Sequence, residues 1–337
     1  MKNISRTLAL SLALVMVLSL FCGVNAFAAK EKTYTLRIGD VTAPGHPLCE
    51  TLEEMAAAIN ERSEGRIKAS VYPSSQLGSL AAMTESLQNG TLEMCTQSPG
   101  GVASFLPVMG VLEMPYLYNS HQEVYDICDG EIGQELAQKF LDATGVRLIS
   151  YWMNFYRHTT NSVRPINSVE DFKGLNLRVP ETKTVMGCMN ALGANATPMA
   201  VGELYTALSN HTMDGQENPL SVIYANKYYE VQDYLSLTGH VYSPIIILVA
   251  EDWYQSLPED LRTILDEEMT AAQARARAAS EASDDEYLEK LKAEGMQINE
   301  VDTTGFREAV QPVYDDIMSS VDGAADYITR IEQALGR

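Results

Sequence analysis

Cysteine is scarce in this chain, as are histidine, tryptophan and, beside the acids, basic side chains. Five cysteines occur in 337 residues, and one of them, Cys22, lies in the N-terminal apolar stretch. The other four, Cys49, Cys95, Cys128 and Cys188, are too widely spaced for paired metal ligation and too few for a disulfide framework. They are expected to be mostly buried small hydrophobes, with at most one disulfide among them. The five histidines, His46, His121, His158, His211 and His240, form no close pair. Nucleophile-elbow, dinucleotide-binding, P-loop, zincin, C-x-x-C and EF-hand patterns are all missing, so the sequence offers no grounds for those chemistries. Acidic clusters such as Glu50, Glu53 and Glu54 read as solvated helix faces, not acid–base pairs. No enzyme is indicated, and no cofactor or metal is expected.

Beyond the first thirty residues, no uninterrupted apolar run approaches the roughly 20 residues that a bilayer-spanning helix needs. Residues 1–29 read as an export signal: Lys2 and Arg6 precede an apolar run from Leu8 to Phe21, and Ala26-Phe27-Ala28 supplies a small-residue cleavage site. Phe21 is bulky where a lipoprotein signal carries a small residue, which disfavours lipid anchoring through Cys22. A soluble, exported protein is expected, periplasmic or extracytoplasmic. Removing the signal leaves 22 basic against 45 acidic side chains, a net charge of −23. Such a balance disfavours nucleic acid and anionic lipid as partners. A small anionic ligand remains compatible, because a water-poor cleft needs only local positive charge.

The alternating Tyr34, Leu36 and Ile38, the helical spacing from Leu48 to Ile59, the Ile67–Val71 strand, a helix from Leu80 to Gln88 and a strand from Leu92 to Thr96 follow in order. This strand–helix alternation predicts a parallel sheet with helices on its faces, an α/β fold. Ligands of such sheets sit beyond the carboxyl ends of strands, which places Asp40, His46 and Gln97 near an expected mouth. Read from the residues alone, a second α/β unit begins near Arg147. Helices are predicted over Lys183–Ala191 and Gly202–Ser209, and PIIILVA at 244–250 reads as a strand buried on both faces. A long helix runs from Pro258 to Glu294, opened by a capping box of Ser256 and Glu259. Its apolar positions gather near its two ends, around AAQARARAASEAS, which predicts one domain packed at each end and a solvated middle.

The polar stretches carry a recurring set of groups. Arg157 lies in YRHTTNS, Arg178 in GLNLRVPET and Asn218 in DGQENP. On an edge strand, an arginine at the polar alternate position of GLNLRVP is ordinarily just solvated. Yet a guanidinium grips a carboxylate with two parallel charge-assisted bonds, and an amide supplies both a donor and an acceptor. Two arginines and one asparagine are a kit for holding an organic acid.

The run PMAVGELYTALSNHTMDGQENPLSVIYANKYYEVQDYLSLTGH at 198–240, with YPSSQLG at 72–78, YRHTTNSVRPINSVEDFKGLNLRVP at 156–180 and SLPEDLR at 256–262, resembles the DctP-type solute-binding proteins of tripartite ATP-independent periplasmic (TRAP) transporters. The resemblance extends from about residue 33 into the C-terminal region. It implies a two-domain periplasmic-binding-protein-like α/β fold with a long helix spanning both domains. It also implies a chain that crosses between them more than once, with domain I at 33–154 plus 244–284 and domain II at 155–243 plus 285–337. The implied function is capture of a small organic acid and its delivery to membrane-embedded TRAP permease subunits, by a monomer.

By the same resemblance, Arg178 forms the main salt bridge to the ligand carboxylate, Arg157 supports the ligand, and Asn218 contacts the carboxylate or its neighbour. Asp40, His46 and Gln97 are placed to read ligand hydroxyls. The contacts typical of sialic-acid binders are not reproduced in GDVTAPGHP and CTQSPGG, and Val201 stands where those members carry an aromatic. A uronate or aldonate is favoured, with a C4-dicarboxylate as the alternative. The competing readings are a binding protein of an ATP-driven transporter, which lacks the long cross-domain helix, a ligand-presenting sensor partner, and a secreted enzyme.

Overall fold

The computed structural model describes residues 32–152 and 156–337; the expected export signal and the expected crossing at 154–155 lie outside those residues. Eleven strands occur among the described residues. In chain order they are β1 (Tyr34–Gly39), β2 (Ile67–Tyr72), β3 (Met94–Gln97), β4 (Val146–Trp152), β5 (Tyr156–Asn161) and β6 (Asn176–Val179). The remainder are β7 (Asn195–Pro198), β8 (Gly215–Asn218), β9 (Tyr234–Tyr242), β10 (Ile245–Ala250) and β11 (Gln297–Glu300). They build two sheets, ordered β2-β1-β3-β10-β4 and β11-β9-β5-β8-β6-β7.

In the first sheet, β1 runs parallel to β2 and β3, joined by the helices Pro47–Arg62 and Leu80–Gln88. The predicted strand β10 fills the gap between β3 and β4, antiparallel to both. Its run of Ile and Val is buried on both faces because helices cover both sides of that sheet. This corrects the residue-based start of a second unit at Arg147. The VRLISYW strand is β4, and it stays in the first sheet because β10 returns from far along the chain to pair with it. A second correction concerns Arg178: β6 is no edge strand but lies between β8 and β7, so both neighbours of its polar position are covered.

The long helix spans Glu259–Ala293. Its 35 residues reach about 52 Å at 1.5 Å each. Leu257, Leu261, Leu265, Met269 and Ala272 pack on the first sheet and the helix Pro47–Arg62. Tyr287 and Leu291 pack with Leu204, Leu208, Ile223 and Leu235 on the second. One helix thus joins two cores. Its middle is less solvated than expected: Ala276 is buried, Arg277 pairs with Asp129 at 2.6 Å and stacks on Tyr125, and Gln273 donates to the Tyr151 carbonyl. The capping box does not form. Ser256 ends a short helix of its own, Glu251–Ser256, and its hydroxyl donates back to the Trp253 carbonyl, leaving Pro258 as the residue before the long helix.

The last three helices lie against both halves. Phe306 meets Phe172 edge-on with ring centroids 5.5 Å apart, while in the helix Ala324–Ala334 Arg330 reaches Glu135 at 2.9 Å. Cys49, Cys95, Cys128 and Cys188 are free and buried, small hydrophobes as expected.

Candidate ligand-binding site

A cavity of about 560 Å³ opens where loops following β1 and β3 of the first sheet face β5, β6 and β8 of the second. Strand ends converge here because parallel neighbours point their carboxyl termini the same way. Of the six residues singled out from the sequence, Asp40, Gln97, Arg157, Arg178 and Asn218 line it, and His46 does not. All six are buried, from 0% exposed at Asp40 to 7% at Arg157.

Arg157 and Arg178 stand in different electrostatic states. The Arg157 Nε and Nη2 donate to the two carboxylate oxygens of Glu217 at 2.5 and 2.8 Å, and Nη2 also reaches Asn218 Oδ1 at 3.1 Å. His240 Nε2 lies 3.0 Å from the same carboxylate, and its Nδ1 lies 2.8 Å from the Thr238 hydroxyl. Burial opposes the charge on Glu217, but Arg157 and His240 together overcome it and pull its pKa down to about 2. Burial likewise works against Arg157, and the Glu217 carboxylate outweighs it, so its pKa is raised. Arg157 is therefore a compensated cation.

Arg178 has no such partner. Its Nε and Nη2 donate to one backbone carbonyl, that of Met199, at 2.8 and 2.6 Å, and no carboxylate pairs with it among the described residues. Burial without a counter-anion, with Arg157 adding its own repulsion, lowers the Arg178 pKa to about 10. A guanidinium 3% exposed and unpaired is costly unless an anion arrives to meet it. Its Nη1 makes no hydrogen bond among the described residues, while the Met199 carbonyl fixes the plane of the group.

Asn218 is more committed than the sequence suggested. Its Oδ1 accepts from Arg157, and its amide nitrogen donates to Gln216 Oε1. It belongs to a buried relay running on through the Thr160 hydroxyl to Gln232. Asp40 accepts from the hydroxyls of Thr42 and Thr96, and burial raises its pKa against those bonds. The Gln97 amide nitrogen donates to the Leu80 carbonyl and the Thr84 hydroxyl; that fixes its orientation and leaves Oε1 buried with no partner among the described residues. His46 is a helix cap: Nδ1 accepts from the Leu48 amide at 3.1 Å, and Nε2 meets the Ser221 hydroxyl at 3.0 Å.

Two acids at the candidate site were missed in the sequence. Glu113 lines the cavity, accepts from the Gly100 amide at 2.5 Å and from the Ser243 hydroxyl, and has its pKa raised by burial. The signal was available: it is a lone acid in the apolar run PVMGVLEMP. Glu217 sits directly before Asn218, yet nothing local shows that it faces Arg157.

Comparison with known proteins fits this geometry. Residues 38–320 match the DctP family, described as bacterial extracellular solute-binding protein, family 7. The sialic acid-binding periplasmic protein SiaP of Vibrio cholerae is 31% identical over 297 residues, 88% of this chain and 92% of that protein. The sugar acid binding protein DctPAm from Advenella mimigardefordensis, solved in complex with galactonate, aligns with a TM-score of 0.86 at 31% identity, over 90% of this chain and 99% of the other. A TRAP periplasmic solute binding protein from Polaromonas, bound to D-erythronate, aligns with a TM-score of 0.83 at 33% identity, over 88% and 98%. The expected binding-protein fold is the fold observed.

Proposed function

Because this chain belongs to the bacterial extracellular solute-binding proteins, family 7, we propose that it captures a singly charged sugar acid, an aldonate or uronate, and hands it to membrane-embedded TRAP permease subunits. The observation that carries the reading is Arg178, a buried guanidinium with no carboxylate paired to it among the described residues. A ligand carboxylate docks there and supplies the missing counter-charge. Charge-assisted bonds in so dry a place are the strong kind.

The charge around the rest of the cavity selects the remainder of the ligand. Arg157 is already neutralised by Glu217, whereas Asp40, Glu113, Glu181 and Glu203 are acids on the wall. A second ligand carboxylate would find acids and no second free cation among the lining residues. Hydroxyl groups instead find acceptors in Asp40 and in the unpartnered Gln97 Oε1. The two halves, 33–154 plus 244–284 and 155–243 plus 285–337, close on the ligand because it touches both only when they are shut.

A thermal-shift series on the mature protein tests the class, using galactonate, erythronate, sialic acid and succinate. Stabilisation by an aldonate and none by succinate is expected. Succinate as the strongest stabiliser would overturn the choice of a monoanion.

A further inference from the structure

His46 is buried beside the cavity without lining it, and its ring ties together residues 175 positions apart in the chain. It stands before the helix Pro47–Arg62, on the loop after β1, whereas Ser221 lies in the first turn of the helix Leu220–Ala225, directly after β8. Because Nδ1 accepts the Leu48 amide hydrogen, the ring proton of the neutral imidazole sits on Nε2 and is donated to the Ser221 hydroxyl. Burial holds His46 down at about 4, so the ring is neutral at ordinary pH. Each partner has a neighbour on the cavity wall, Leu48 on one side and Val222 on the other.

The halves also meet at a second place. A Cβ at Gly100, in the loop after β3, would stand 3.0 Å from Thr182 Cβ, just past β6, so backbone and side chain touch there with no room to spare. The first-sheet and second-sheet halves therefore touch at both of these places beside the cavity, as a shut arrangement requires.

We propose that His46 and Ser221 are a positioning pair that latches the shut form: their bond exists only when the two halves have closed, and it slows the ligand's escape without touching it. The inference rests on the closure described above. Apart, both groups meet water and lose nothing. Together they are buried, and each satisfies the other, so the bond favours the shut state alone. A single buried neutral bond of this kind corresponds to about a fivefold to tenfold change in the shut-to-open ratio.

The test uses the full mature chain with His46→Asn, which keeps a capping side chain but is too short to reach Ser221, and Ser221→Ala, which leaves the cap intact. Spin labels on Lys68→Cys and Lys173→Cys, both exposed and in opposite halves, report the distance between them; the four native cysteines are buried and stay unlabelled. Galactonate titration and pulsed dipolar distances are measured for both variants and the double variant. The expected result is weaker galactonate binding by about fivefold to tenfold in each single variant, no further loss in the double variant, and a larger open population in all three. Additive losses, or variants that bind and close as the wild type does, would overturn the latch. If the wild type binds no galactonate, the sugar-acid reading falls on its own. The latch is then judged on the ligand-free distances, where the variants must deplete the short-distance population or the proposal fails.

Discussion

Arg157 and Glu217 form a two-pronged buried ion pair, with Nε–Oε2 at 2.5 Å and Nη2–Oε1 at 2.8 Å, while Arg178 in the same cavity pairs with no carboxylate among the described residues. Two arginines alike in sequence thus do different work. One is a fixed part of the wall, and the other is the cation to which the proposed function assigns the ligand carboxylate. The difference follows from strand register: β5 and β8 are antiparallel neighbours that set Thr159 opposite Glu217, two residues from Arg157, whereas the neighbours of β6 set Gln216 and Thr197 opposite Arg178.

Breaking the pair should destabilise the fold. Glu217→Gln leaves Arg157 buried without its counter-charge, an expected loss of about 3 to 5 kcal/mol. The pH dependence has a defined sign. The folded-state pKa of Glu217, about 2, lies below its ordinary value of 4.5, so its contribution is present above pH 4.5 and is lost as pH falls through 2. Denaturant titrations of wild type and variant should differ most near pH 7 and converge toward pH 2. A gap that stays constant across that range would contradict this.

Asp284 carries the opposite sign. Burial where the long helix passes, with Asp285 adding repulsion, lifts its pKa from 3.8 to about 6. A folded pKa above the unfolded one means that the protonated form is favoured on folding, an advantage complete below pH 3.8 and lost as pH rises through 6. Asp284→Asn should therefore raise the melting temperature at pH 7.5 by about 2 °C, on the order of 1 kcal/mol after screening. Near pH 3.5 the two proteins should melt together.

Gly100 is a steric requirement. A Cβ there would fall 2.1 Å from Glu113 Oε2, the same oxygen that accepts the Gly100 amide hydrogen. Gly100→Ala has to displace the carboxylate or push against Thr182, at a cost of about 1 to 3 kcal/mol. Lower melting temperature together with weaker ligand binding is expected. Pairing the change with Glu113→Ala should restore part of the stability, because the first obstacle is then gone.

Local pattern made much of the secondary structure legible. Leu80–Gln88 and Lys183–Ala191 were readable to the residue, because helical spacing is bounded there by Ser79 and Asn89 in one case and by Thr182 and Gly193 in the other. The uniformly apolar β10 announced a central strand. Which sheet it joins was not legible, since its partners β3 and β4 are distant in sequence and pairing is set by the closed fold. The same limit hid the roles of polar residues. Arg157 and Glu217 are 60 positions apart, and only the β5–β8 register brings them together. His46 looked like a mouth residue because it follows a strand end, but its ring is used as a helix cap and a tie to Ser221. Capping at Ser256 failed for a local reason, the short helix that claims that residue as its own end.

The most direct measurement is calorimetric titration of galactonate into the wild type and into Arg178→Ala. The expected result is binding to the wild type and a loss of about 2 to 5 kcal/mol in the variant, beyond detection for a ligand of ordinary affinity, with the melting temperature of the ligand-free protein unchanged or raised. The rise would come from removing a buried cation that has no partner until the ligand arrives. Undiminished galactonate binding by Arg178→Ala would contradict the assignment of Arg178 as the carboxylate clamp.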